Sequence, residues 1–151
     1  MRILIRRVNE ANVQVGNNIV GEIKNGMLVY VGLHKYDGIE DYKWIIKKML
    51  GLRIFEDENR KVNLSVCESD LEILVVSQFT LLASFKKGYR PSFHNAAPPK
   101  IAEENYELFL SILRHEFQRK VEAGVFGADM KIKSVDDGPF SLWLDSKQKN
   151  Y

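Results

Sequence analysis

The sequence predicts an α+β fold: a mixed β-sheet closing toward a barrel, with two long helices. Roughly seven short runs alternate or are wholly apolar, as strands do, and two stretches place apolar residues at helical spacing. The regular strand–helix–strand order of a doubly wound sheet is absent, which favours the α+β class.

Arg2 to Val8 opens the chain as a half-buried strand, with Ile3, Ile5 and Val8 near one register. Ala11 to Val15 and Ile19 to Ile23 form a hairpin around Gly16-Asn17-Asn18, residues that tolerate the positive φ of tight turns. Met27 to Leu33, introduced by Gly26, is apolar on both faces and reads as a central strand. From Ile39 to Leu50, the spacing of Tyr42, Ile45, Ile46, Met49 and Leu50 marks an amphipathic helix. Leu52 to Phe55 is a short strand, Glu56 to Lys61 a charged loop, and Leu71 to Phe79 another buried strand. Ala83 to Lys100 has no period and contains Pro91, Pro98 and Pro99, so it reads as an ordered surface loop. A second helix runs from about Pro99 to Arg119, with Leu108, Phe109, Ile112, Leu113 and Phe117 on one side and proline in its first turn. Val121 to Asp129 is loop and turn, and Met130 to Val135 and Phe140 to Leu144 are two strands separated by Asp136-Asp137-Gly138-Pro139.

With 151 residues, 45% of them hydrophobic and only 4 Pro and 10 Gly, the chain is expected to fold as one domain over residues 1–151 without a long disordered tail. Neither a signal peptide nor an apolar run of membrane-spanning length is present, so a cytoplasmic protein with no membrane partner is expected. Cys67 is the only cysteine, which excludes an internal disulfide and a zinc site with two thiols; it reads as a passenger at a strand or loop edge. His34, His94 and His115 are scattered, so no catalytic metal and no cofactor are expected. A formal charge of +2 is too small to announce a nucleic-acid binder, and any RNA contact must come from a local patch.

Three segments could carry chemistry. Ser77-Gln78-Phe79-Thr80 places three hydrogen-bonding side chains directly after a buried strand, where a rigid support can present groups to a cleft. The ordinary alternative is that these side chains satisfy the strand end. Lys86-Lys87-Gly88-Tyr89-Arg90 combines cations with an aromatic ring, a mixture that binds phosphates and stacks on bases, or else forms a solvated face. Asp136-Asp137-Gly138-Pro139 joins two strand-like runs through a Gly-Pro bond that can be cis at modest cost, or through an ordinary turn.

These segments resemble the D-aminoacyl-tRNA deacylase family over essentially the whole chain. The resemblance is carried by Val76-Ser77-Gln78-Phe79-Thr80-Leu81, Lys87-Gly88 with Arg90-Pro91-Ser92-Phe93, Gly124 through Met130, and Asp136-Asp137-Gly138-Pro139 leading to Leu144-Asp145-Ser146. Arg6-Arg7-Val8, Leu52 through Asp57 and Asn63 through Val66 extend it. Several such pieces in the right order and spacing are specific.

The resemblance implies an ester hydrolase that removes D-amino acids, and glycine mischarged on tRNA-Ala, from the 3′ end of tRNA while rejecting L-aminoacyl-tRNA. It implies a homodimer with the active site at the subunit interface, Ser77, Gln78, Phe79 and Thr80 being the catalytic segment of one subunit. A cis Gly138-Pro139 reaches into the other subunit's site, where Phe93, Ala96 and Asp136 join it in substrate binding and chiral selection. Lys86, Lys87 and Arg90 are the implied tRNA contacts. Backbone N–H groups near Phe79 and Thr80 would stabilise the oxyanion, with the 2′-hydroxyl of the terminal adenosine positioning water, so no strong protein base is required. Asp136 and Ser141 stand where the family usually has Asn and Thr, and Asp136 is acceptor-only when ionised. His94-Asn95 occupies a place where small residues are common. The competing readings are a non-catalytic RNA-binding module and a cofactor-free hydrolase of another small D-amino-acid ester.

Overall fold

The computed structural model describes residues 1–86 and 88–150. Strand β1 (Arg2–Val15) is long enough to serve several partners at once. Its first half pairs antiparallel with β3 (Gly26–Gly32), and its second half with β2 (Asn18–Ile23) across the Gly16 turn, where φ is +57°. Along its other edge, β1 pairs with β8 (Met130–Asp145). β3 continues the sheet in parallel to β6 (Glu72–Ser77), and β6 in parallel to β7 (Val121–Ala123). The sheet order is β2-β1-β3-β6-β7 with β8 on β1, a mixed sheet nearly closed into a barrel. A separate two-stranded ribbon joins β4 (Phe55–Glu56) to β5 (Val62–Leu64).

Helix α1 (Ile39–Leu50) and helix α2 (Pro99–Glu116) cover one face of the sheet. Met27, Val29, Ile73 and Val75 meet Ile45, Met49, Phe109 and Leu113 there in the main core. Leu28, Leu74 and Val76 point the other way, into a second core with Val8, Val13 and Ile23. β3 and β6 are therefore buried on both faces, which is why their sequences are continuously apolar. No helix is long and apolar enough to cross a membrane among the described residues.

Several boundaries differ from the expectation. The two predicted strands before Gly16 are one, because β1 runs through the exposed Asn9-Glu10 and takes up the change in a register shift against β8. The two predicted strands at the C-terminal end are likewise one, β8, which continues through Gly138-Pro139. The run from Leu52 forms a strand only at Phe55–Glu56, and α2 stops at Glu116 instead of Arg119. β7 is a strand where a loop was expected, and β5 lies in a stretch given no element; at 3 residues each, such short segments carry no readable period.

Candidate active site

The parallel strands β3 and β6 run in register to Val31 and Ser77 and end together. Ligand crevices form outside such carboxyl ends. Beyond them the Gln78 amide donates to the Val31 carbonyl at 2.7 Å, and Phe79–Leu82 winds into a single 3₁₀ turn. Gly32 lies beneath this turn: a Cβ there would stand 3.0 Å from both the Gln78 carbonyl oxygen and the Leu81 Cβ, so a side chain would push the turn off the sheet. Phe79 and Thr80 are exposed. Their amides open the turn, where no intrahelical acceptor exists, and no other acceptor is found for them among the described residues.

Next to the turn is a cleft of about 620 Å³. Ser77, Gln78 and Phe79 form one side, and Phe93, Ala96 and Pro98 a second. Phe79 and Phe93 meet edge to face, with ring centroids 4.8 Å apart. Phe126, Ala128, Met130 and Ile132 form a third side. Their segment is fastened by the Gly124 amide, which donates to the Val75 carbonyl at 2.9 Å. A Cβ on Gly124 would come within 2.6 Å of the Met130 sulfur, so glycine is what lets Met130 fold back toward the cleft. The loop carrying Phe93 and Ala96 is tied down through Ala97 N–H to the Leu33 carbonyl and Lys35 N–H to the Asn95 carbonyl, 2.9 and 3.0 Å.

The structure thus gathers Ser77, Gln78, Phe79, Phe93 and Ala96 around one cavity. Thr80 sits beside it, its hydroxyl accepting from the Gln78 side-chain amide. Asp136, Gly138 and Pro139 do not line this cleft. They lie on β8, where Val8 pairs with Asp136 and Arg6 with Ser141, so that the residues from Asp137 to Phe140 oppose Arg7 alone and bulge outward. The Gly138-Pro139 bond is cis, and Gly138 has φ +118°.

Two arginines hold this bulge. Arg7 is buried; it donates to the Ile54 carbonyl and, at 3.2 Å, to the Asp137 carbonyl, pairs with the Asp137 carboxylate at 2.9 Å, and lies 5.2 Å over the Phe140 ring. Arg6 pairs with Asp136, and that hydrogen bond raises the guanidinium above its ordinary value. Asp136 therefore has a cationic donor, which answers the loss of the amide that asparagine would offer at this position.

Lys86 and Arg90 are exposed on the loop between Ser84 and Ser92, which is pinched shut by reciprocal backbone bonds of 2.8 and 3.0 Å. Lys87, predicted with them, lies outside the described residues. His94 is exposed and meets the Ser92 hydroxyl at 3.1 Å. Cys67 is exposed, in a turn, and partial desolvation raises its thiol's pKa. Sequence reasoning gave no role to Val31, Leu33, Pro98, Phe126 or Met130, although all line the cleft. The Gly124 to Met130 motif was a signal for two of them.

The D-Tyr-tRNA(Tyr) deacylase family model matches residues 4–145. The D-aminoacyl-tRNA deacylase of Flavobacterium psychrophilum is 47% identical over 149 residues, covering 99% of each chain. That of Thermotoga petrophila is 50% identical over 148 residues, covering 98% of this chain and 99% of its own. A solved structure of the c-Myc DNA unwinding element binding protein superposes with a TM-score of 0.92 at 37% identity, covering 96% of this chain and 98% of its own. A family model that spans both the cleft-forming strands and the Gly138-Pro139 bulge, with relatives sharing about half of all residues, places the chain's membership beyond the fold alone: it belongs to the D-Tyr-tRNA(Tyr) deacylase family.

Proposed function

We propose that this chain hydrolyses the ester between a D-amino acid and the 3′ end of tRNA, and the corresponding glycyl ester on tRNA-Ala. Water attacks the ester carbonyl carbon, and the tetrahedral oxyanion collapses as the bond to the ribose oxygen breaks. One proton of the attacking water passes to that oxygen, which leaves as a hydroxyl, and the other goes to solvent as the carboxylate forms, giving free amino acid and tRNA. The observation that carries this reading is an apolar cleft bordered by a turn whose Phe79 and Thr80 amides have no acceptor among the described residues. Such donors stabilise a developing oxyanion without a change of protonation, and an aminoacyl ester is activated enough to need no strong base.

Ser77 and Gln78 orient the substrate, Phe93 and Ala96 shape its pocket, and Thr80 braces Gln78 through their hydrogen bond. The Gly138-Pro139 bulge stands away from the cleft of its own chain, which favours a homodimer in which each bulge enters the partner's cleft. There its main-chain atoms exclude the direction taken by an L side chain, while glycine passes. Lys86, Lys87 and Arg90 bind tRNA phosphates. Relatives named as D-aminoacyl-tRNA deacylases support the activity, and a one-domain cytoplasmic protein suits it.

The test is deacylation of matched D-tyrosyl-, L-tyrosyl- and glycyl-tRNA. Release from the D- and glycyl-tRNAs, with the L-tRNA intact, is expected. Binding of tRNA without release would favour a non-catalytic RNA-binding module, and release from small esters but not from tRNA another hydrolase.

A further inference from the structure

We infer that Arg2 is a positioning residue for this hydrolysis: it fixes the far end of the 3₁₀ turn that carries the Phe79 and Thr80 amides. The inference rests on the proposed role of those amides as oxyanion donors.

Among the described residues the turn is hydrogen-bonded to the sheet at two points. At its near end, the Gln78 amide donates to the Val31 carbonyl at 2.7 Å. At its far end, Arg2 Nη1 donates to the Leu81 carbonyl at 3.0 Å. The bonds between them, Leu81 N–H to the Gln78 carbonyl at 3.3 Å and Ala83 N–H to the Thr80 carbonyl at 3.0 Å, tie the turn to itself and not to the sheet. Leu82 is buried and keeps the turn seated, but apolar packing is non-directional and permits rotation about the near bond. The Arg2 contact removes that freedom.

Arg2 is itself held from the other side. It lies on β1, register-paired with Gly32 of β3 and Asp145 of β8. Its Nε donates to Asp145 Oδ2 at 2.8 Å, and its guanidinium stands 5.7 Å from the Trp143 ring centroid. Asp145 is buried, and its other oxygen accepts from the Lys147 amide at 2.8 Å. A planar guanidinium held at Nε and donating from Nη1 transmits the position of β8 to the turn, whereas an ammonium is a point charge without that fork.

Arg2 does not line the cleft but a smaller neighbouring cavity shared with Leu82 and Asp145, and its route to the reaction is the turn. An oxyanion donor works within about 2.7–3.1 Å of the charge. Displacement by about 1 Å costs on the order of a hundredfold in rate.

Single-turnover hydrolysis of D-tyrosyl-tRNA by Arg2→Ala should therefore slow about tenfold or more, while tRNA affinity stays within about twofold. Arg2 is part-exposed, so added guanidinium ion should restore much of the rate, relative to the same concentration of sodium. Arg2→Lys should restore little. The ¹H–¹⁵N resonances of Phe79 and Thr80 should shift in Arg2→Ala without substrate. A rate near wild type, or a loss that guanidinium leaves uncorrected, overturns the inference. If Arg2→Ala does not fold, Arg2→Lys carries the test, and a wild-type rate overturns it. Thr80→Pro, which deletes one donor amide, tests the underlying reading separately. Full activity there removes the Thr80 amide as a donor and with it the two-amide reading on which the Arg2 effect rests. Loss in Thr80→Pro with none in Arg2→Ala removes Arg2 alone.

Discussion

Arg7 grips Asp137 twice: its Nε lies 3.2 Å from the Asp137 carbonyl oxygen and 2.9 Å from its carboxylate. The bulge from Asp137 to Phe140 is thereby held by a buried side chain of the neighbouring strand instead of by ladder bonds, which proline cannot supply. Arg6, from the same strand, secures Asp136 at the entrance to the bulge.

Gly138→Ala should disturb this grip. Gly138 has φ +118°, where L side chains are rarely found, and an added Cβ would stand 3.2 Å from both Arg7 Nη2 and the Phe140 nitrogen. The expected cost is about 1–3 kcal/mol of stability, read in denaturant unfolding. On the proposed reading, turnover of D-tyrosyl-tRNA falls as well, or the L-ester begins to be cut. Wild-type stability together with wild-type selectivity would show that the bulge tolerates displacement and does not form the selective wall.

Lys86→Ala with Arg90→Ala should weaken tRNA binding and reduce the salt slope of log K by nearly 2, since each lost phosphate contact releases about one fewer counterion. Both residues are exposed on the pinched 84–92 loop, so folding should be unaffected. Titrations of tRNA at several salt concentrations decide this, and an unchanged slope would make the cluster a solvated face.

The legible parts of the fold were those whose pattern is local. Helix α1 was readable because Tyr42, Ile45, Ile46 and Met49 repeat along one face. β3 and β6 were readable because burial on both sides leaves unbroken apolar runs. β1 was read as two strands because Asn9 and Glu10 break the alternation, yet backbone pairing with β8 resumes beyond them. β8 was split for the same reason at Gly138-Pro139. The polar end of β6 announced one side of the cleft. Leu33 and Pro98 join it only through tertiary closure, which leaves no mark on their own neighbourhoods.

Acid stability should depend on Asp41. Burial alone would raise its carboxyl, but hydrogen bonds from Lys147, the Gly38 amide and Ser146 outweigh that and hold it at about 2, below the ordinary 3.8. A carboxylate with a depressed folded pKa stabilises the fold above its unfolded pKa, and the benefit fades as pH falls from about 4 through about 2. Asp41→Asn should therefore be less stable at pH 7 and lose less between pH 4 and 2 in acid unfolding. Parallel curves for the two proteins would assign the acid sensitivity to other carboxylates.

The pH profile of the reaction bears on the mechanism itself. Bell-shaped profiles require an essential acid and base whose pKa values bracket the optimum. Ser77 and Gln78 supply the polar side chains of the cleft, and no ionisable side chain lines it among the described residues. His34 lies nearby, but its Nδ1 accepts from the Tyr36 amide at 3.1 Å and burial lowers its pKa, so it is committed to its own turn. Amide donors do not titrate, and the attacking water draws on the ester's own reactivity. At saturating tRNA the single-turnover rate should consequently show no bell from the protein. Any inflection should belong to the substrate's α-amino group, near the range of about 7.7–8.0 typical of free amino termini. It should then move when D-tyrosine is replaced by glycine and stay put when His34 or His94 is replaced by asparagine. An inflection between about pH 5 and 8 that is fixed across amino acids and vanishes in a histidine variant would replace the amide-donor mechanism with general-base catalysis.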